Sequence, residues 1–195
     1  MPSNELTNWL ESFWKILIFP STKTFAKEAE KANGKFGSSV AWLVFLAVYI
    51  VCIAMLLVKD YPFNFLLLIV LVMAIPAAVV TLTSAMHLVY QRVFHGKQYI
   101  YDALLYITTI ILIPFQMIAI PLSLAVPVEI GNPIFDLMQL YQLALLVWSL
   151  TAISKLKLWQ AAITVLIGTT VGAITLVCIL PIVVSMMGGV SAALR

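Results

Sequence analysis

Apolar residues fill most of this chain in long blocks separated by short polar breaks. A helix that crosses a bilayer needs about 20 apolar residues at roughly 1.5 Å rise each. Five blocks reach that length: 37–58, 63–90, 99–126, 134–153 and 159–187. Lys59-Asp60-Tyr61-Pro62 ends the first, and Arg92, His95, Gly96 and Lys97 fall in the break after the second. Residues 127–133 read as a turn-rich loop. Asn132, Pro133 and Asp136 then supply the cap, the first position and the first-turn acid of a helix start. Residues 154–158 form a short basic link before the fifth block.

The amino-terminal stretch follows a different pattern. Over residues 3–17, Leu6, Trp9, Leu10, Phe13, Ile16 and Leu17 share one helical face, Trp14 flanks it, and Asn4, Asn8, Glu11 and Lys15 lie opposite. This amphipathic helix is too polar to span. Two readings stand side by side. Either it lies in the headgroup boundary with Trp9, Phe13 and Trp14 as interfacial residues, or it packs on the protein's own membrane-facing end. Pro20 stops it. Residues 22–33 read as a short, charged, water-exposed helix with Phe25 and Ala29 as its buried side, ended by Asn33-Gly34. The first twenty residues lack a basic start and a small-residue cleavage site, so the amino terminus is expected to stay on the mature protein.

Composition sharpens the class. Of 195 residues, 63% are hydrophobic and only 10% are charged, and the mean hydropathy is +1.08. That leaves too little polar surface for a soluble enzyme and too much apolar content for a disordered chain. The expected fold is an all-α integral membrane protein of five transmembrane helices, with residues 1–35 as an N-terminal cytoplasmic or interfacial region and 36–195 as the membrane domain. Nine of the eleven basic residues fall on one side of such a topology: Lys15, Lys23, Lys27, Lys31, Lys35, Arg92, Lys97, Lys155 and Lys157. Only Lys59 and Arg195 fall on the other, which places the amino terminus in the cytoplasm and the carboxyl terminus across the membrane. No lysine-arginine cluster is interleaved with aromatics, so nucleic acid is not an expected partner. Cys52 and Cys178 lie in apolar runs and behave as small hydrophobes.

Intramembrane polar groups are the candidates for function. His87, near the cytoplasmic end of the second block, has Thr81 and Ser84 on a similar face. It reads as a hydrogen-bonded interface histidine or as a functional group. Two turns separate His87 from His95, about 12 Å, too far for one shared metal ion. Asp102 opens the third block, where it complements the helix dipole and is placed to pair with Arg92, or to form a cytoplasmic binding site. Gln116 lies between Pro114 and Pro121 in a block expected to be bent or discontinuous, the kind of place where transporters put their sites. Pro76 and Pro181 are expected to kink or break their own helices. Gly168 and Gly172 form a GxxxG pattern that suits close packing inside the bundle or a dimer face. The chain has no HExxH, GxSxG or GxxxxGK[ST] motif, so neither catalytic nor metal residues are expected, nor a cofactor.

The order of parts resembles the Yip family, the Ypt/Rab-interacting five-span proteins and their prokaryotic relatives. Pro20 with Thr24-Phe25 is similar to the segment ahead of that family's first span. His95-Gly96-Lys97 through Tyr101-Asp102-Ala103-Leu104 resembles the link that opens its third span, and Pro114 matches the proline within it. Trp148 through Lys155-Leu156-Lys157-Leu158-Trp159-Gln160-Ala161 resembles the basic hairpin between spans four and five. The Asp-Leu-Tyr-Gly-Pro stretch of eukaryotic members is absent, and a glycine pair in the link between spans two and three is reduced to Gly96. The resemblance therefore implies a prokaryotic-type member in a cell (inner) membrane, and Rab binding is not carried over.

Three functions follow as expectations. The first is a non-catalytic membrane scaffold, adaptor or membrane-organising factor, with the lipid bilayer and a protein partner or a second copy as partners. The second is a small-solute transporter or channel through the kinked third span. The third is an accessory subunit of a larger membrane complex.

Overall fold

The computed structural model describes residues 3–33, 65–96, 98–126 and 128–193. The expected first span, 37–58, lies outside the described residues. Among the described residues there are six α-helices, one 3-10 turn and no strand. They are α1 (Ser3–Ile18), α2 (Thr22–Glu30), the 3-10 turn (Lys31–Asn33), α3 (Phe65–Arg92), α4 (Tyr101–Ala125), α5 (Val128–Ser154) and α6 (Leu158–Ala193). Two of them, over Pro133–Ser154 and Leu158–Ile179, are long and apolar enough to cross a membrane.

The four long helices close a ring. α3 packs most extensively on α6, α6 on α5, α5 on α4, and α4 back on α3. The α3–α6 seam is built on missing side chains. A Cβ on Gly168 would meet Met86 Cγ at 2.4 Å and the Leu82 carbonyl oxygen at 3.1 Å. One on Gly172 would meet Leu82 Cβ at 3.1 Å and the Ala78 carbonyl oxygen at 3.3 Å. As the α6 numbers rise the α3 numbers fall, so the helices run antiparallel. Thr175 Oγ1 donates to Thr81 Oγ1 across the same seam at 3.1 Å. The small-xxx-small pair thus faces its own chain, where it lets two backbones approach.

α4 is the most enclosed helix, with Leu104, Ile107, Thr108, Thr109, Ile110, Ile111 and Ile113 all buried. It stays helical through Pro114 and Pro121, so of the bend or discontinuity expected there the discontinuity is not found. α3 and α6 likewise continue through Pro76 and Pro181. A proline lacks only its own N–H, and the bonds on either side hold the helix together.

α5 starts six residues before the expected fourth span. The loop expected at 127–133 is mostly its first turns, with Pro133 inside the helix. Gly131 does not take the positive φ that a turn at Gly131-Asn132 would need. The tail expected after residue 187 is helical as far as Ala193.

Both links at one end are closed by residues in the left-handed region, His95 (φ 54) after α3 and Lys155 (φ 58) after α5. The Phe94 and Trp159 rings meet edge to face with centroids 5.9 Å apart, so the two links sit at the same end of the bundle. Gln160 Oε1 accepts from the Lys157 N–H at 3.0 Å, half of a capping box at the start of α6.

Two substitutions test this frame. Gly168→Ile forces side chains apart and is expected to cost about 1–3 kcal/mol, read as a lower melting temperature in detergent with unchanged oligomeric state. Lys155→Gly relieves the left-handed conformation and is expected to raise stability by about 1 kcal/mol in the same assay.

Candidate functional site

Polar side chains in apolar helices need partners, and here most find them on their own helix. The hydroxyls of Thr81, Thr109, Ser149, Thr164, Thr169, Thr170 and Thr175 each donate to a carbonyl three or four residues back. Such back-bonding satisfies the hydroxyl without a cross-helix partner. The groups that depart from this pattern fall in two places.

The first place is where α1 and α2 meet α4. Ser21 caps α2 by accepting from the Thr24 N–H at 3.1 Å, and Thr24 Oγ1 in turn donates to the Phe19 carbonyl at 3.2 Å. These two bonds and Pro20 fold α1 and α2 into a tight hairpin. The hairpin buries Phe13, Ile16 and Phe25 in the core that contains Leu104, Tyr106 and Ile107 of α4. It also buries an acid. Glu28 is only 2% exposed. Lys31 Nζ lies 2.9 Å from its Oε1 and 2.7 Å from its Oε2, and also donates to Ser12 Oγ at 3.0 Å. Ser12 lies beside the Tyr106 side chain of α4. The charge pair therefore joins α1 to α2, next to α4. Lower down, Tyr141 Oη of α5 donates to the Leu17 carbonyl at 2.6 Å, which ties the end of α1 to a fourth helix. Tyr141 also packs on Phe115 of α4, with ring centroids 6.0 Å apart.

The second place is the His87 ring. Tyr99 and Tyr101 meet it edge to face with centroids at 5.1 and 5.7 Å, and Tyr90 lies at 6.5 Å. Ser84 Oγ and Tyr101 Oη are 3.4 Å apart. Among the described residues His87 Nδ1 is buried with no hydrogen-bond partner, as are Thr83 Oγ1 and Thr108 Oγ1. The ring is thus held by tyrosines, and the hydrogen bond expected for it is not made through Nδ1.

The remaining expected residues scatter. Arg92 and Asp102 are exposed at the link end, and among the described residues no ion pair joins them. Gln116 lies within α4, and its side chain falls outside the described residues, as does that of Trp9 in α1. Phe13, expected at the bilayer interface, is buried because its face of α1 packs into the bundle core. Trp14 is exposed. Glu28 and Ser12 were missed by the sequence reading. The one available signal was Lys31, three residues after Glu28, the spacing of a helical ion pair.

The comparisons add no relative: no family model matches the chain, and neither a curated protein nor a solved structure does.

The charge pair gives an asymmetric expectation. Lys31→Met leaves the Glu28 carboxylate buried without its cation; because the Lys31 side chain is 45% exposed, the expected cost falls below the roughly 3–5 kcal/mol of a fully buried pair. The double variant Glu28→Met/Lys31→Met is expected to recover most of that loss. Melting temperatures of the two variants in detergent check the order.

Proposed function

We propose that this chain is a non-catalytic, multi-pass membrane protein that organises the bilayer around it, in the manner of a scaffold or adaptor. It has five spans, a cytoplasmic amino terminus and a prokaryotic inner membrane as its home, and it is a prokaryotic-type relative of the Yip family. Several observations support this reading. Two helices have the length and apolarity to cross a bilayer. Their outward faces carry Leu137, Leu140, Leu143, Leu166, Ile174 and Val177, all exposed, which is stable surface only against lipid or another apolar partner. Among the described residues Arg92, Lys155 and Lys157 share the link end.

The observation that carries the proposal is the clamped hairpin. α1 and α2 are joined to each other through Ser12, Glu28 and Lys31, and are held on the bundle by the Tyr141 bond to Leu17 and by buried Phe13, Ile16 and Phe25, yet Trp14, Ile18 and Phe19 are left outside. A rigid mount for exposed aromatic side chains beside the spans is what a membrane-organising element requires. The transporter alternative has no comparable support, because α4 runs unbroken past Gln116.

Impermeant labelling of single cysteines near each terminus is expected to react on opposite faces of sealed vesicles. Reconstitution of the purified chain is expected to change vesicle diameter relative to empty liposomes. Trp14→Asn/Phe19→Asn is expected to abolish the change without lowering the melting temperature. Termini on one face would refute the five-span topology. Unchanged vesicles together with a chain that purifies alone would refute the scaffold.

A further inference from the structure

The hairpin stands upright along the bundle. Ser12 meets Tyr106, five residues into α4, about 8 Å from that helix's start. Leu17 meets Tyr141, which lies thirteen residues before the end of α5, about 20 Å from the same end. Phe115, which packs on Tyr141, lies fourteen residues into α4, about 21 Å from its start. Over five residues α1 thus descends alongside the spans, and α2 returns, bringing Glu28 and Lys31 back to the level of Ser12. The turn between them is the lowest part of the hairpin.

The long helices are longer than a membrane. At 1.5 Å per residue α3, α5 and α6 measure about 42, 40 and 54 Å, against a hydrocarbon core of roughly 30 Å. The excess is at least about 10 Å. The polar residues of the link end, Gln91, Arg92, Asp102, Lys155, Lys157 and Gln160, suit a portion that stands above the acyl chains. With about 10 Å of helix above the acyl chains, the turn of the hairpin, about 20 Å from the link end, falls roughly 10 Å below the headgroup boundary, among the acyl chains. Its side chains match that depth: Trp14 is 53%, Ile18 55% and Phe19 71% exposed. The flanking bases match it too. Lys15, Lys23 and Lys27 are exposed, and lysines at this depth extend their ammonium groups back to the headgroups.

We propose that the turn Ile18-Phe19-Pro20 is a lipid-inserting tip, reaching into the acyl layer of the leaflet on the link side, with Trp14 beside it. Phe13, Ile16 and Leu17 on the apolar face of α1 are occupied by the protein, so the tip and not those residues meets lipid. This rests on the membrane reading above, and the test separates the two. In the full chain reconstituted in phosphatidylcholine and phosphatidylglycerol vesicles, a nitroxide is attached to a single cysteine. The positions are Phe19→Cys or Ile18→Cys with both native cysteines changed to serine, Lys157→Cys in the same background, and native Cys178 with Cys52→Ser. Cys178 is exposed on α6 and reports the spans. Collision with oxygen and with a water-soluble nickel complex is measured by electron paramagnetic resonance. The Phe19 and Ile18 labels are expected to favour oxygen, as Cys178 does, while Lys157 favours nickel. If both tip labels favour nickel while Cys178 favours oxygen, the tip is overturned and the membrane reading stands. If Cys178 also favours nickel, both fall.

Discussion

The structure depends on how closely α3 and α6 approach. Each carries bulky aliphatic residues along most of its length, and two such helices ordinarily stand 8–10 Å apart. Gly168 and Gly172 remove the obstruction on α6 at the two positions where the α3 backbone passes, beside Leu82 and Ala78. Leu82 and Met86 then fill the space, and Thr81 and Thr175 join across it. With this pair set, α4 and α5 complete the ring, and the enclosed face of α4 follows.

Polar groups divide between two duties. Threonines and serines within the long helices mostly bond back to their own carbonyls and add little to packing specificity. A smaller set crosses between elements: Thr81 and Thr175 join α3 to α6, while Ser12, Glu28, Lys31 and Tyr141 fix the amino-terminal hairpin. The region with the most charge is therefore also the one most firmly specified in position, because an ion pair with a buried acid tolerates few alternative arrangements.

Helical class was legible in the sequence because long apolar blocks with polar breaks leave little other choice. Helix ends around 92, 101 and 158 were legible too, since charged or glycine-containing links mark them. The start of α5 was not. Asn132-Pro133 has the chemistry of a cap, but the preceding residues Val128, Glu129 and Ile130 are acceptable in a helix, and nothing local tells the chain to wait. Of the two outcomes expected for Pro114 and Pro121, a bend or a break, the break does not occur, because the bonds around each proline keep α4 helical. Of the candidate site residues, His87 lies among tyrosines whose arrival depends on the turn at His95, which sequence spacing alone does not show. Glu28 was read as one charge on a solvated helix. Its burial arises from contact with α4, nearly eighty residues further on, and no local pattern encodes it.

The bond from Tyr141 to Leu17 joins groups 124 residues apart. A ribosome adding about 5–20 residues per second needs roughly 6–25 seconds to make the intervening chain. For most of that interval the newborn hairpin has no α4, and until its end no bond from α5, to receive Phe13, Ile16 and Phe25. Those side chains must wait in some other apolar surrounding until synthesis catches up. The order of biogenesis is thereby fixed: the first part of the polypeptide to emerge is among the last to reach its final seat.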